Sequence, residues 1–271
     1  MTLDLDLSAA MQLACQAARL AGSILLSMKG SATVHAKSGK DLVTDADFAA
    51  QVAISNHLLE AYPDHDFLGE EGELGLAGSN PKPPKKSPYR WVVDPLDGTT
   101  NYAHGLPQYA VSIALTLYKE PILGVIYDPE ADEMFSALKG QGALLNNKPI
   151  HTSQEKNLSM ALVAAGLSPN LKQDSPEIQQ VVRMLLACQG LRRLGSAALN
   201  LCYVACGRLD GYWGGTLKIW DIAAGVLIVR ESGGVVSDFQ GQDDQAFEGA
   251  LIASATRQLQ HSMQDTITKP N

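Results

Sequence analysis

The segment Trp91-Val-Val-Asp-Pro-Leu-Asp-Gly-Thr-Thr-Asn101 concentrates the chemistry of this chain. An apolar strand would deliver Asp94 to its C-terminal edge, where α/β sheets usually keep their sites. Pro95 cannot continue a ladder, so the strand is expected to stop at Asp94-Pro95 and the chain to turn there. Asp97 follows three residues on, close enough to set a second carboxylate beside the first. Gly98 lets backbone approach a ligand closely. Thr99 and Thr100 offer hydroxyls, and free N–H groups if a helix or turn opens there, an arrangement that suits phosphate. Two neighbouring carboxylates repel when both are ionised. A hard divalent cation relieves that repulsion, and Mg²⁺ typically takes one or two carboxylates together with waters and a substrate phosphate. The plainer reading is an Asp/Gly turn in which Asp94 only caps.

Further acids stand at element ends. Gly69-Glu70-Glu71 follows a short apolar run and precedes a loop, so Glu70 could complete a carboxylate cluster or simply be solvated. Asp221, in Trp220-Asp221, falls at a helix start, where aspartate is also among the best caps. Asp45 and Asp47 face the same alternative at the second helix. No cysteine or histidine lies in these motifs, which leaves a thiol or phosphohistidine route without a residue to run on.

Positioning these groups requires regular elements. Residues 8–29 have the spacing of a helix, with Ser8 as cap, Met11, Ala14, Ala18, Ala21, Leu25 and Met28 on one stripe, and Gly30 as terminator. The polar stretch 37–41 leads to a second helix from Thr44 or Asp45, closed at Tyr62-Pro63. Residues 67–68 and 91–93 read as strands around a proline- and glycine-rich loop at 72–90. Residues 110–150 read as antiparallel strands with Asn146-Asn147 at a hairpin tip. The second half alternates: strands near 163–166, 210–213, 235–239 and 250–254, and helices from Ser175-Pro176, over 196–208, over 221–231 and from about Ala255. Such mixing without strict βαβ alternation favours a layered α/β (α+β) sandwich over a barrel.

Composition sets outer bounds. The chain has 271 residues, 45% hydrophobic and 18% charged, which excludes disorder and collagen-like structure. Its 21 basic and 29 acidic side chains give a net charge of −8, which argues against nucleic acid or an anionic membrane as partner. No run approaches the roughly 18 apolar residues of a membrane span. The start lacks a secretory signal pattern, and the four cysteines lack metal-type pairing, so the cytoplasm is the expected compartment.

Taken together, Leu42–Asp47 (LVTDAD), Gly69-Glu70-Glu71, DPLDGTTN at 94–101, GSAALN at 195–200, WDIAAG at 220–225 and ESGG at 231–234 resemble the inositol monophosphatase family, in the right order and over nearly the whole chain. The resemblance implies a layered αβαβα sandwich of the inositol monophosphatase / fructose-1,6-bisphosphatase type. It implies one catalytic unit over 1–271, with a subdomain at 1–150 holding the N-terminal helices, antiparallel sheet and metal motifs, and another at 151–271 holding the WD motif and substrate side. It implies a Mg²⁺-dependent, lithium-sensitive phosphatase, usually a homodimer, acting on a small phosphorylated metabolite by attack of an activated water, with two or three Mg²⁺ per site. By position, Glu70, Asp94, Asp97 and Asp221 would be carboxylate metal ligands and Leu96 would lend its carbonyl. Thr99 with Asp47 would orient the attacking water, assisted by Glu70. Gly98 and Thr99 N–H groups would hold phosphate, and Gly195, Ser196 and Ala197 would lie beside the alcohol. Lys37 matches a lysine near the site.

One position departs from the pattern. Members acting on inositol phosphates commonly carry a glutamate seven residues before the WD aspartate; here that residue is Gly214. This opens the alternatives of a 3′(2′),5′-bisphosphate nucleotidase, a fructose-1,6-bisphosphatase or a histidinol-phosphate phosphatase. Tyr212 and Trp213 could stack on a flat ring or serve as core aromatics. A haloacid-dehalogenase-type nucleophile is disfavoured, because its motif sets the two acids two apart rather than three. A metal-dependent binding or regulatory protein on the same fold is the non-enzymatic alternative.

Overall fold

The structure, a computed structural model, describes residues 5–72, 87–243 and 249–269. The expected loop at 72–90 therefore lies mostly outside the described residues. The chain begins with α1 (Leu7–Met28), a hairpin of β1 (Val34–Ser38) and β2 (Asp41–Thr44), α2 (Asp45–Ala61), β3 (Asp66–Gly69), β4 (Tyr89–Asp97) and α3 (Thr99–Ala103). An antiparallel run follows: β5 (Ala110–Leu117), β6 (Glu120–Asp128), β7 (Glu133–Leu138), β8 (Ala143–Leu145) and β9 (Lys148–Ile150). The remainder is β10 (Leu162–Gly166), α4 (Pro176–Ala187), β11 (Gly190–Arg192), α5 (Ala197–Ala205), β12 (Gly211–Leu217), α6 (Ile219–Glu231), β13 (Val235–Ser237), β14 (Gly249–Ser254) and α7 (Arg257–Thr268).

Two sheets organise these elements. The larger has the order β3-β4-β5-β6-β7-β8-β9, and the smaller β11-β10-β12-β14-β13. On the outer face of the larger sheet, α1 and α2 bury small residues (Ala10, Ala14, Ala17, Ala18 and Ala21 from α1, Ala46 and Ala50 from α2) against Trp91, Val93, Ile113 and Val125. Between the sheets, α5 and α6 contribute Leu199, Leu201, Ile222 and Val226, which meet Val92, Ile126 and Phe135 on one side and Tyr212 and Leu251 on the other. Outside the smaller sheet, α4 and α7 cover Val163, Trp213 and Ile252 with Met184, Leu259 and Met263. The layers are thus helix, sheet, helix, sheet, helix, as the sequence led us to expect.

Local chemistry explains where expectation and structure part. Asp6, not Ser8, caps α1: its Oδ1 accepts from the N–H groups of Ser8 and Ala9 at 2.9 and 3.0 Å. By length and composition α1 could cross a membrane, but its stripe of Ala10, Ala14, Ala17, Ala18, Ala21, Gly22 and Leu25 is buried in the outer core. The β4 strand does not stop at Asp94-Pro95. It continues to Asp97 through a bulge, with Asp94 opposite Ser112 and Asp97 opposite Ala110, so Pro95 occupies a place where no ladder N–H is needed. Helix α6 starts two residues before Asp221. Asn146 and Asn147 do form the tip, both with left-handed backbone (φ 48° and 63°). The β1–β2 hairpin arises from a stretch whose polar composition gave no strand signal.

The close seat of α6 on the larger sheet depends on a glycine. A Cβ at Gly124 would lie 2.8 Å from the Ala224 carbonyl oxygen and 3.1 Å from its Cα, both backbone atoms that cannot rotate away. Gly124→Ala should therefore destabilise by about 1–3 kcal/mol, the usual range for overpacking. Urea denaturation reads that loss as a lower midpoint with unchanged slope.

Candidate active site

Each sequence-selected acid reaches the same place from a different element. Glu70 follows β3, Asp94 and Asp97 flank the β4 bulge, and Asp221 sits in the first turn of α6. Together with the Leu96 backbone they line one cavity of about 380 Å³, whose wall also includes Gly98, Thr99, Gly195, Ser196 and Ala197. Every expected ligand and substrate-contacting position is therefore on this cavity, and Asp47 lies just behind it, linked through Thr99.

Hydrogen bonds fix each carboxylate. Asp94, 1% exposed, accepts from the Leu96 N–H at 2.9 Å within the bulge. Asp97 Oδ2 accepts from the Ser196 hydroxyl at 2.5 Å and the Ala198 N–H at 2.7 Å, so the start of α5 aims it. Asp221 Oδ2 accepts from the Lys218 N–H at 2.8 Å. Lys37 donates to Glu70 and Glu71, each at 3.0 Å. Among the described residues these acids do not stand as a closed, ready-made set of three metal donors. They share a wall, Asp94 and Asp221 held within their own elements, Asp97 by the start of α5 and Glu70 by Lys37 of β1.

Their electrostatics reflect the crowding. Burial, followed by the charges of Glu70, Asp97 and Asp221, holds the Asp94 carboxyl well above its ordinary range. Burial pushes Asp97 up to about 6, against the stabilising bonds from Ser196 and Ala198. Asp221 is pushed up to about 8 by burial and then by Asp97. A cation bound among them would reverse these directions, because it favours the ionised forms. The donor set, all carboxylate and carbonyl oxygen, is the chemistry a hard ion such as Mg²⁺ prefers.

Beside the carboxylates is a hydrogen-bonded relay. Asp47 is 1% exposed and accepts from the Thr44 hydroxyl and N–H at 2.6 and 2.8 Å, closing a capping box at α2. Burial raises it to about 6. Thr99 Oγ1 lies 3.2 Å from Asp47 Oδ1 and 3.1 Å from the Leu96 carbonyl oxygen. Gly98, at φ 101°, turns the chain into α3, and a Cβ there would sit 2.8 Å from the Gln108 carbonyl oxygen. Only glycine fits that approach.

Some neighbours were given no individual role by the sequence, and others that it singled out take a different place. Asn101 Nδ2 donates to the carbonyls of Gln108 (2.7 Å) and Leu194 (2.8 Å), tying α3 to the loop before Gly195. The last letter of DGTTN was the available hint. Asn200 and Tyr212 line the cavity, both buried. Trp213 is fully buried under α4 and α7 and is a core residue rather than a stacking platform. Glu231 of the ESGG motif works away from the cavity, accepting from the Gly140 and Gly142 N–H groups at 2.7 and 2.8 Å.

A family model described as the inositol monophosphatase family matches residues 6–269. The chain belongs to the inositol monophosphatase family. Among its relatives, inositol monophosphatase 2 of Solanum lycopersicum is 43% identical over 237 residues, covering 85% of this chain and 87% of that one. The Nus factor SuhB of Xylella fastidiosa is 40% identical over 267 residues, covering 95% and 94%. The crystal structure of the extragenic suppressor protein suhB from Bartonella henselae superposes with a TM-score of 0.89 at 38% identity, covering 97% and 100%.

The crowded charges predict a stability signature. A carboxyl raised from 3.8 to about 8 contributes its full folded-state stability below about pH 4 and loses it as the pH rises through about 8. In chelator, Asp221→Asn should therefore melt above wild type, with a gap that widens from pH 4 to 8. The gap should be about 2–4 °C for each kcal/mol relieved. Millimolar magnesium should raise the wild-type Tm more than that of the variant. A gap that shrinks with pH would contradict the burial of this charge.

Proposed function

We propose that the chain is a Mg²⁺-dependent phosphatase, working as a single catalytic unit on a small phosphate monoester. The observation that carries this is the meeting, on one cavity, of four carboxylates from three separate stretches with the Thr99–Asp47 pair. Glu70, Asp94, Asp97, Asp221 and the Leu96 carbonyl would hold the metal. When bound, magnesium supplies positive charge against the ester and acidifies water, the chemistry a phosphate monoester requires.

The protein's own groups do the rest. The Gly98 and Thr99 N–H groups, at the opening of α3 where backbone donors are unspent, bind phosphate oxygens. When Thr99 Oγ1 donates to Asp47 Oδ1, a lone pair remains to accept from the attacking water. The water's proton passes to Oγ1 as the hydroxyl proton passes to Asp47, whose raised affinity for a proton suits a general base near neutrality. The water oxygen bonds to phosphorus, the bond from phosphorus to the alcohol oxygen breaks, that oxygen takes up a proton from solvent water, and Asp47 returns its proton to solvent. Ser196 and Ala198 hold Asp97 in its orientation throughout.

A second reading, a binding protein whose role is not hydrolysis, draws on relatives that carry the name Nus factor. A panel of phosphate monoesters with millimolar Mg²⁺ separates the two: turnover supports the phosphatase, and none across the panel supports the binding role. On the phosphatase reading, Asp94→Asn, Asp97→Asn and Asp221→Asn each lower kcat/KM at least about 10²-fold while the protein stays folded. Thr99→Ala should cost about 10²–10⁴-fold, and Thr99→Ser, which keeps the hydroxyl, should recover most of it.

A further inference from the structure

We propose that Arg193 and Lys218 form a subsite for a second anionic group, so that the preferred ester carries another phosphate or a carboxylate besides the phosphate that is cleaved. The proposal rests on the phosphatase reading and adds the substrate class.

The first ground is what Gly214 leaves behind. It is buried in β12, paired with Gly166 of β10 and Leu251 of β14. A Cβ there would sit 2.8 Å from Leu217 Cδ1, so the Leu217 side chain fills the space where a longer residue would project. The β12–β14 register breaks between Gly214 and Leu217, and Thr216, Leu217 and Lys218 reach the cavity wall beyond the break. The wall beside Gly214 is hydrocarbon, from Leu217, and Leu167, Pro169 and Leu194 extend it. This stretch of wall offers hydrocarbon rather than a carboxylate, although Ser168 and Thr216 stand beside it.

The second ground is charge. Among the described residues, Arg193 and Lys218 are the cationic side chains on the cavity; neither makes a direct ion pair, although the Lys218 charge acts on Asp221. Lys37, by contrast, is committed to Glu70 and Glu71. Guanidinium and ammonium groups donate only, and guanidinium matches the paired oxygens of phosphate or carboxylate.

The third ground is placement. The Lys218 N–H is bonded to Asp221 Oδ2, so its side chain starts one hydrogen bond from the carboxylate cluster. Arg193 precedes Leu194, whose carbonyl is bonded to Asn101 of α3, the helix that begins at the phosphate-binding turn. Both cations therefore hang from backbone that is pinned to the groups holding the cleaved phosphate. A second anion at a defined spacing from the first would meet them.

The test compares kcat/KM for inositol 1-phosphate, whose alcohol is neutral, with fructose 1,6-bisphosphate, adenosine 3′,5′-bisphosphate and 3-phosphoglycerate, at fixed Mg²⁺. At least one ester with a second anionic group should exceed inositol 1-phosphate by about tenfold or more, the scale of one charge-assisted contact. The 3-phosphoglycerate arm tells a carboxylate from a second phosphate. Arg193→Gln with Lys218→Gln should bring the ratio toward one, mainly through KM, whereas Arg193→Lys and Lys218→Arg should keep most of it. Equal or better use of inositol 1-phosphate, or a ratio that the double variant does not move, overturns the subsite and leaves the phosphatase intact. Hydrolysis of none of the esters overturns the phosphatase reading and the subsite with it.

Discussion

Mutual repulsion among carboxylates in a half-buried cavity is the constraint around which this molecule is arranged. Water would screen Asp94, Asp97 and Asp221 from one another; the layers above and below remove much of it. Left alone, the cluster opposes folding, as the raised proton affinities of all three groups record. The fold tolerates it because each acid is held by an element anchored elsewhere: a strand bulge, the start of α5, the first turn of α6. On the proposed metal-dependent reading, this concentrated negative charge is what would give a divalent cation its affinity.

The architecture follows from where those anchors must stand. Helix α6 lies between two sheets and brings Asp221 to the same level as the end of β4. That requires close approach, hence small residues at the contacts: Gly124 under Ala224, and Gly225 under Leu201. On the outer face, a stripe of alanines lets α1 and α2 lie flat on the larger sheet. The apolar interior thus positions the polar groups that stand at its edge.

Much of this was legible in the sequence, for definite reasons. Acids, glycine and threonines in one short segment signal their chemistry by type and spacing, and helical alanine stripes signal a buried face. Hidden were features set by tertiary context. The run of β4 through Pro95 depends on a bulge that only the partner strand reveals. The cap on α1 fell to Asp6 because its carboxylate reaches two N–H groups at once. Trp213, which could have faced a ligand, is claimed by the outer core. The roles of Asn101 and Glu231 are contacts between segments 93 and about 90 residues apart, which no local pattern encodes.

The double bond made by the Asn101 amide has a wider meaning. One side chain ties the helix after Gly98 to the loop before Gly195, the segments that the proposed function assigns to phosphate and to the alcohol. On that reading the two halves of the ligand's surface are joined by hydrogen bonds within the folded chain, before any ligand arrives. Ordering entropy is then not charged against each encounter, so even a ligand of a dozen or so atoms, with few contacts to offer, can be oriented.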